Sequence, residues 1–283
     1  MKPGGVLIEI AWQYDPDAGA VERKPATAEE ALLMLHMGNS GFADLGRSTG
    51  SDRYVIPVSG EELGLGDRPG EAPAQTPMAV ILGCADARVP LELVFSQSAN
   101  DLFVVRVAGN VLGGDCVGSI DFAITNLASV RLVAVVGHTG CGAVQACVDA
   151  YLDPRRYLGL SANLPLRGIV DAVMPAVRGA DAALRGHYGD QIVDKSGFTE
   201  ALVDSAVVLN AAIAADALQR IFSQNLCDEL GVAFGVYDLR SRLVGLPDLQ
   251  MDWRRGLFPA PAEGSRFIED VVRSVHVRSL LQG

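Results

Sequence analysis

Three side chains in this 283-residue chain have the chemistry to hold a soft divalent metal: Cys84 in ILGCADARVP, and His138 with Cys141 in VVGHTGCGAV. A zinc site draws thiolate and imidazole donors into a tetrahedron, and a catalytic one keeps a position open for water or substrate. The pair in HTGC is weak by itself, because His and Cys three apart occur by chance in many folded proteins. In CADARV, Cys84 is followed at alternate positions by Asp86 and Arg88. That spacing gathers a thiolate, a carboxylate and a guanidinium at one strand terminus, where the last two can pair through two hydrogen bonds. Taken alone, this half is better explained as a surface Asp-Arg ion pair beside a buried cysteine.

The elements that must position these residues are legible as apolar runs. MAVILGC to Cys84, LFVVRVAGN to Asn110 and LVAVVGHTGC to Cys141 each predict a buried strand ending in small residues. Each precedes a helix-like segment, at LELVFSQ, GSIDFAITNLA and GAVQACVDAYL. The alternation predicts an α/β fold with a mainly parallel central β-sheet flanked by helices, whose ligands bind at the carboxyl ends of the strands. Cys84 and the His138 to Cys141 pair lie at two such ends. Upstream, Thr27 to Leu45 reads as a capped amphipathic helix, and Ser48 to Thr76, rich in Gly, Pro and acidic residues, as a surface loop. Downstream, Leu166 to Leu226 predicts two or three helices broken near Gly186 to Gly197. A fourth strand is expected at GVAFGVYDL and a final helix near Phe267 to Leu281.

Composition narrows the classes. A chain of this length, 49% hydrophobic, can bury a sizeable core. A net charge of −11 repels a phosphate backbone, so no nucleic-acid partner is expected. The run Leu132 to Gly137 is far below the roughly 20 apolar residues that cross a bilayer, and the acidic amino-terminal stretch does not read as a secretory signal. The expectation is a cytoplasmic protein with no membrane span. Five cysteines, an odd number in a large chain, point to reduced thiols with a metal among them. Cys116, Cys147 and Cys227 lie in apolar or helical surroundings and read as small buried hydrophobes. Trp12 and Trp253, with Arg254 and Arg255, could mark a docking surface, although scattered aromatics near termini are usually packing residues.

Read together, the two halves of the site resemble the beta carbonic anhydrases. The resemblance is carried by ILGCADARVP, DLFVVRVAGN, GSIDFAI and VVGHTGCGAV, with fainter echoes at Ala31 to Phe42 and in GVYDL. It spans residues 27–245 and is dense from Thr76 to Val148, which implies a catalytic domain at 27–246 between extensions at 1–26 and 247–283. It implies one Zn2+ per chain on Cys84, His138 and Cys141, with Asp86 and Arg88 as the catalytic dyad. It also implies that Gln75 faces the substrate, commonly across a dimer interface, that Phe103 forms an aromatic wall, and that the Gly142 amide helps bind substrate oxygen. A homo-oligomer follows, a dimer at least and plausibly a tetramer.

The implied reaction is the reversible hydration of carbon dioxide to bicarbonate and a proton by zinc-bound hydroxide, since zinc lowers the pKa of water from about 15.7 towards 7. Two thiolate ligands offset the metal's charge, so activity is expected to rise on the alkaline side. Val89 and Ile81 join Phe103 as candidates for an apolar substrate wall. In some relatives an aspartate matching Asp86 swings onto the metal at lower pH as a fourth ligand. Arg106 matches the arginine of an inhibitory bicarbonate site, but Ile81 replaces that site's tryptophan, so the site is expected to be absent. Phe122 stands where many members have tyrosine. Two other readings use the same residues: hydrolysis of carbonyl sulfide or carbon disulfide, and a noncatalytic zinc-bearing binding or scaffold protein.

Overall fold

The computed structural model describes residues 7–14, 24–46, 51–60, 63, 72–225, 230–248, 252–261 and 264–280. In chain order it contains β1 (Leu7–Tyr14), α1 (Ala28–Asp44), β2 (Ser51–Val58), β3 (Ala79–Gly83), α2 (Leu91–Val94) and β4 (Leu102–Arg106). These are followed by α3 (Gly114–Asn126), β5 (Leu132–His138), α4 (Gly142–Leu152), α5 (Pro154–Gly159), α6 (Leu164–Tyr188) and α7 (Phe198–Ile221). The chain then forms β6 (Gly231–Tyr237), β7 (Val244–Asp248), β8 (Asp252–Arg255), β9 (Phe258–Pro259) and α8 (Gly264–Leu280).

The four strands β4-β3-β5-β6 lie side by side and parallel, as the alternation predicts. An antiparallel margin follows: β7 pairs with β6, β8 with β7, and β9 with the other half of β6. Strands β8 and β9 and helix α8 all come from the segment after residue 246, which is thus built into this sheet and its helical cover. The fold class is α/β.

Every residue of β3 and β5 is buried, because helices cover both faces of the sheet and leave no solvent side for polar residues. Alternate side chains point to opposite faces. Val80 and Leu82 of β3, with Val133 and Val135 of β5, pack against α4, α6 and α7. Ala79, Ile81, Leu132, Ala134 and Val136 face the other way, onto α1 and α2 with Leu35, Leu91 and Phe95. Each such Val, Leu or Ile contributes about 1.5–3 kcal/mol, whereas an exposed ion pair contributes about 0–1 kcal/mol, so these two cores dominate the stability.

Helix α1 starts as the sequence predicts. The Thr27 side chain accepts from the Glu30 amide, and Glu30 reaches back to accept from the Ala26 amide at 2.7 Å. This reciprocal cap satisfies two otherwise orphaned donors. Helix α2 is shorter than LELVFSQ suggests, because Ser96, at φ 53°, leaves the helical region and stops it after one turn. The break between α6 and α7 falls where expected. Helix α7 is long and apolar enough to cross a membrane by composition, yet 78% of its most apolar window is buried within this fold.

Two expectations are corrected. The stretch read as a surface loop contains β2, which pairs in parallel with β1 from Leu7↔Ser51 to Tyr14↔Val58. Only a brief apolar run marks it in the sequence, because a two-stranded sheet with an open face needs few buried side chains. Trp12, on β1, is 59% exposed and so is not a packing residue, whereas Trp253 is buried.

Close packing makes opposite predictions for two helical glycines. Alanine is the better helix former by about 1 kcal/mol, but at Gly38 its Cβ would lie 1.9 Å from the Phe95 carbonyl oxygen. Gly38→Ala is therefore expected to lower the thermal unfolding midpoint. In α6, a Cβ at Gly168 meets nothing within 4 Å, so Gly168→Ala is expected to stabilise by about 0.5–1 kcal/mol. Thermal melts of both variants beside the parent check this; shifts of the same sign would refute it.

Candidate metal centre

The strands deliver the three donors to one point. Strand β3 ends at Gly83, paired with Val136 of β5, so the next residue, Cys84, emerges beside the end of β5. His138 is the last residue of β5. Gly140, in the left-handed region at φ 66°, turns the chain sharply, and Cys141 becomes the N-cap of α4. The sulfurs of Cys84 and Cys141 and a ring nitrogen of His138 lie within 4.8 Å of one another, all buried. The two sulfurs are 4.0 Å apart.

The donors are prepared for a cation. His138 Nδ1 lies 3.0 Å from the Thr139 carbonyl oxygen. A carbonyl can only accept, so the proton sits on Nδ1 and the lone pair on Nε2, the arrangement metal-binding histidines use. Nε2 is buried with no hydrogen-bond partner, an expense a folded protein leaves standing where a ligand satisfies it. The Cys84 thiol is held well below its usual range, chiefly by its hydrogen bond with Cys141, with backbone amides at Asp86 and Gly109 assisting against the opposing effect of burial. Cys141 is pushed up by the same shared proton and by burial, while amides of the first turn of α4 favour its thiolate. A divalent ion displaces that proton and lets both sulfurs ionise. Two thiolates and one neutral imidazole in this spacing fit zinc.

Asp86 and Arg88 form the rim. Arg88 donates from Nε to Asp86 Oδ1 at 3.0 Å and from Nη2 to Oδ2 at 2.7 Å, and its backbone amide donates to Oδ1 at 2.9 Å. Nη2 also reaches the Gly140 carbonyl at 3.2 Å, tying the dyad to the histidine-cysteine turn. Asp86 Oδ2 is 3.8 Å from His138 Nε2. The Arg88 guanidinium holds the Asp86 carboxyl far below the usual carboxylate range.

Three supports were not assigned to the centre by sequence reasoning. Arg106 donates to the carbonyl oxygens of Cys84, at 3.1 Å, and Asp86, at 2.7 Å, so it clamps the loop carrying the first ligand and the dyad. The Gly109 amide donates to Cys84 Sγ at 3.3 Å. Buried Asp238 accepts from Thr139 Oγ1 at 3.1 Å and from the Ser241 hydroxyl at 2.7 Å, fixing the turn after His138. Only the polar positions in RVAGN and YDL hint at these roles, because such contacts join residues far apart in the chain.

The remaining candidates are dispersed. Gly142 begins α4 next to Cys141, exposed, with open space where a Cβ would stand. Gln75 is exposed on the segment entering β3, at the opposite end of that strand from Cys84. Phe103 pairs with Val80 and is half-buried against the core, away from the three donors. Val89 and Ile81 are fully buried in the core on the α1 and α2 side, so they line no open surface here; strand alternation turns Ile81 away from the face that Leu82 and Cys84 share. Phe122 is exposed on α3. Cys147 is buried, its thiol donating to the Val170 carbonyl at 3.3 Å and its pKa pushed up to about 12 by burial. Cys116 is half-buried on α3, and Cys227 lies outside the described residues.

Comparison with known proteins bears on the same segments. A family model described as carbonic anhydrase matches residues 79–241, more than half of the chain. Carbonic anhydrase 2 of Mycobacterium tuberculosis is 44% identical over 110 residues, 39% of this chain and 50% of that protein. The carbonic anhydrase of Mycolicibacterium smegmatis is 40% identical over 124 residues, 42% of this chain and 57% of its own. Beta carbonic anhydrase 6 of Arabidopsis thaliana, a mitochondrial protein, is 31% identical over 82 residues, 27% of this chain and 28% of its own. The chain thus spans about half the length of the mycobacterial relatives it matches. The matched span runs from the first residue of β3 to just beyond β6, through every donor and both members of the rim pair, and with it this chain belongs to the beta-class carbonic anhydrase family.

Proposed function

We propose that this protein is a zinc-dependent carbonic anhydrase that interconverts carbon dioxide and bicarbonate, holding one zinc ion per chain with Cys84, His138 and Cys141. The observation that carries this reading is the position of the Asp86–Arg88 pair beside the unpartnered Nε2 of His138. A purely structural zinc site is closed by a fourth donor and has no use for such a pair. Zinc, when bound, supplies the Lewis acidity that brings the pKa of water down towards about 7.

The residues of the chain do the rest. Asp86, kept ionised by Arg88, accepts a hydrogen bond from the nucleophile's hydroxyl and aims its lone pair at the substrate carbon. Arg88 holds both carboxylate oxygens and the Gly140 carbonyl at once, so the acceptor and the histidine-cysteine turn move together. Two thiolates in the donor set offset the charge of a divalent ion, which supports activity that increases with pH. Gln75 and Phe103 sit away from the donors of their own chain, so as substrate contacts they would serve the site of a second copy. A homo-oligomer, a dimer at least, is the assembly this supports.

Stopped-flow hydration on zinc-quantified protein from about pH 6.5 to 9, the range in which zinc-acidified water titrates, tests the proposal. The parent is expected to carry one zinc per chain and to turn over faster as pH rises. Cys84→Ser should lose both metal and activity, and Asp86→Ala should keep metal while losing activity about 10²–10⁴-fold. Zinc-loaded parent hydrating carbon dioxide at the uncatalysed rate would overturn the proposal; sulfide release from carbonyl sulfide would then redirect it.

A second prediction concerns the rim pair. Arg88→Ala should raise the Asp86 carboxyl towards the ordinary aspartate value of about 3.9, a shift followed by carbon-13 NMR titration of the carboxyl. The pairing lowers the folded-state pKa below the unfolded one. Its stability contribution is therefore complete above the unfolded value and disappears as pH falls through the folded value. Parent and variant melting temperatures should converge in acid; a constant offset down to that range would show that Arg88 does not set the charge on Asp86.

A further inference from the structure

Asn210 lies in the middle of α7, 7% exposed, on a helix whose buried face is otherwise almost wholly Ala, Val and Leu. A polar side chain there needs a reason, and its amide has a partner far away in sequence. Nδ2 donates to the Gly109 carbonyl oxygen at 2.8 Å, across 101 positions of the chain. Gly109 in turn donates its own N–H to Cys84 Sγ at 3.3 Å. The side chain of Asn210 is thus linked through one residue to the sulfur of the first donor.

The geometry of that residue shows why a link is needed. Gly109 has φ 67° and ψ 16°, and Asn110 follows at φ 43°, so two consecutive residues occupy the left-handed region. For Asn110 this is a sparsely populated conformation, which persists only where the surroundings impose it. Gly109 has no alternative side chain, since a Cβ would lie 3.0 Å from Ala143 Cβ in addition to the adverse φ. The two peptide planes flanking the Gly109 Cα carry the two contacts. One presents the carbonyl to Asn210, and the other presents the N–H to the sulfur. The planes meet at one Cα, so anchoring the first restricts, through φ and ψ of Gly109, where the second can point.

We propose that Asn210 is a positioning residue for the metal centre: it holds the Gly109 turn so that the Gly109 N–H stays aimed at Cys84 Sγ, and thereby sets the donor strength of that thiolate and the affinity for a soft divalent cation. The inference rests on Cys84 being a metal ligand. An N–H donated to a thiolate draws charge from the sulfur and preorganises it, and loss of such outer supports typically weakens metal binding about 10–100-fold.

The test uses the full chain and reads metal binding, so carbon dioxide hydration does not enter. Asn210→Leu keeps the volume and removes the donor. In competition with a chelator its zinc affinity is expected to fall about 10-fold, and in the cobalt(II)-loaded protein the thiolate-to-metal charge-transfer band should move to lower energy, as expected for a more electron-rich sulfur. Ser205→Ala removes another fully buried polar group from the same helix and should leave both readouts at parental values. A folded Asn210→Leu protein with unchanged affinity and an unchanged band would overturn the proposal, as would an equal change in Ser205→Ala. If Asn210→Leu does not fold, the parent decides: loaded with cadmium-113 and labelled with nitrogen-15, it should show coupling from the metal to the Gly109 amide proton through the hydrogen bond, and absence of that coupling sinks the proposal. A parent that binds zinc but does not hydrate carbon dioxide would refute the proposed function and leave this inference standing.

Discussion

The parallel register between β3 and β5 is the constraint on which the metal centre depends. Gly83 pairs with Val136, so Cys84 and His138 leave the sheet side by side, with their strands one hydrogen-bonded spacing apart. A slip of one residue would turn Cys84 to the opposite face and exchange the two sets of core side chains. The unbroken burial of Ala79 to Gly83 and Leu132 to His138 makes that slip prohibitive, since a shift of β3 alone would take Val80 and Leu82 out of the core under α4, α6 and α7. The hydrophobic core and the ligand geometry are therefore one specification.

Burial of the donors sets the chemistry in the same stroke. Thiols and imidazole held away from water lack solvent partners, and the chain supplies substitutes: the Gly109 N–H for Cys84, first-turn amides of α4 for Cys141, and the Thr139 carbonyl for His138 Nδ1. Among the donor atoms of these three side chains, His138 Nε2 is left without a hydrogen bond. The charged members, Asp86 and Arg88, stay at the rim where solvent tolerates them, Arg88 half open to water and paired through two contacts that keep its orientation. The candidate donors are thus dry and the ion pair at their edge is open to solvent.

The loops at the strand ends keep a few backbone bonds, such as the Ala85 amide to the Val107 carbonyl and the Thr139 amide to the Tyr237 carbonyl, and side chains hold them further. Arg106 clamps the loop after β3, Asp238 the turn after β5, and Asn210 the turn after β4. Each donates to or accepts from backbone or a short hydroxyl, which is the cheapest way to immobilise irregular chain beside a site. Helix α7 illustrates the division of labour: its Ala, Val and Leu positions hold the sheet, and one amide reaches through them to the centre.

By itself the sequence determined the α/β class and singled out Cys84, His138, Cys141, Asp86 and Arg88 as candidates, because these are local signals: apolar runs of strand length and residue types set a few positions apart. Cys84 to Arg88 and His138 to Cys141 could be read without knowing where the chain goes. Only the tertiary structure decided that Ile81 and Val89 belong to the core beneath α1 and α2, since strand alternation and helix docking assign faces that composition does not. It alone paired β1 with β2 from segments with little apolar character. It also brought Arg106, Asp238 and Asn210 to the loops that carry the donors and the rim pair. Those contacts span from 20 to 101 positions of the chain, and hydrogen bonds of that reach are set by how helices and strands stack, which no local spacing encodes.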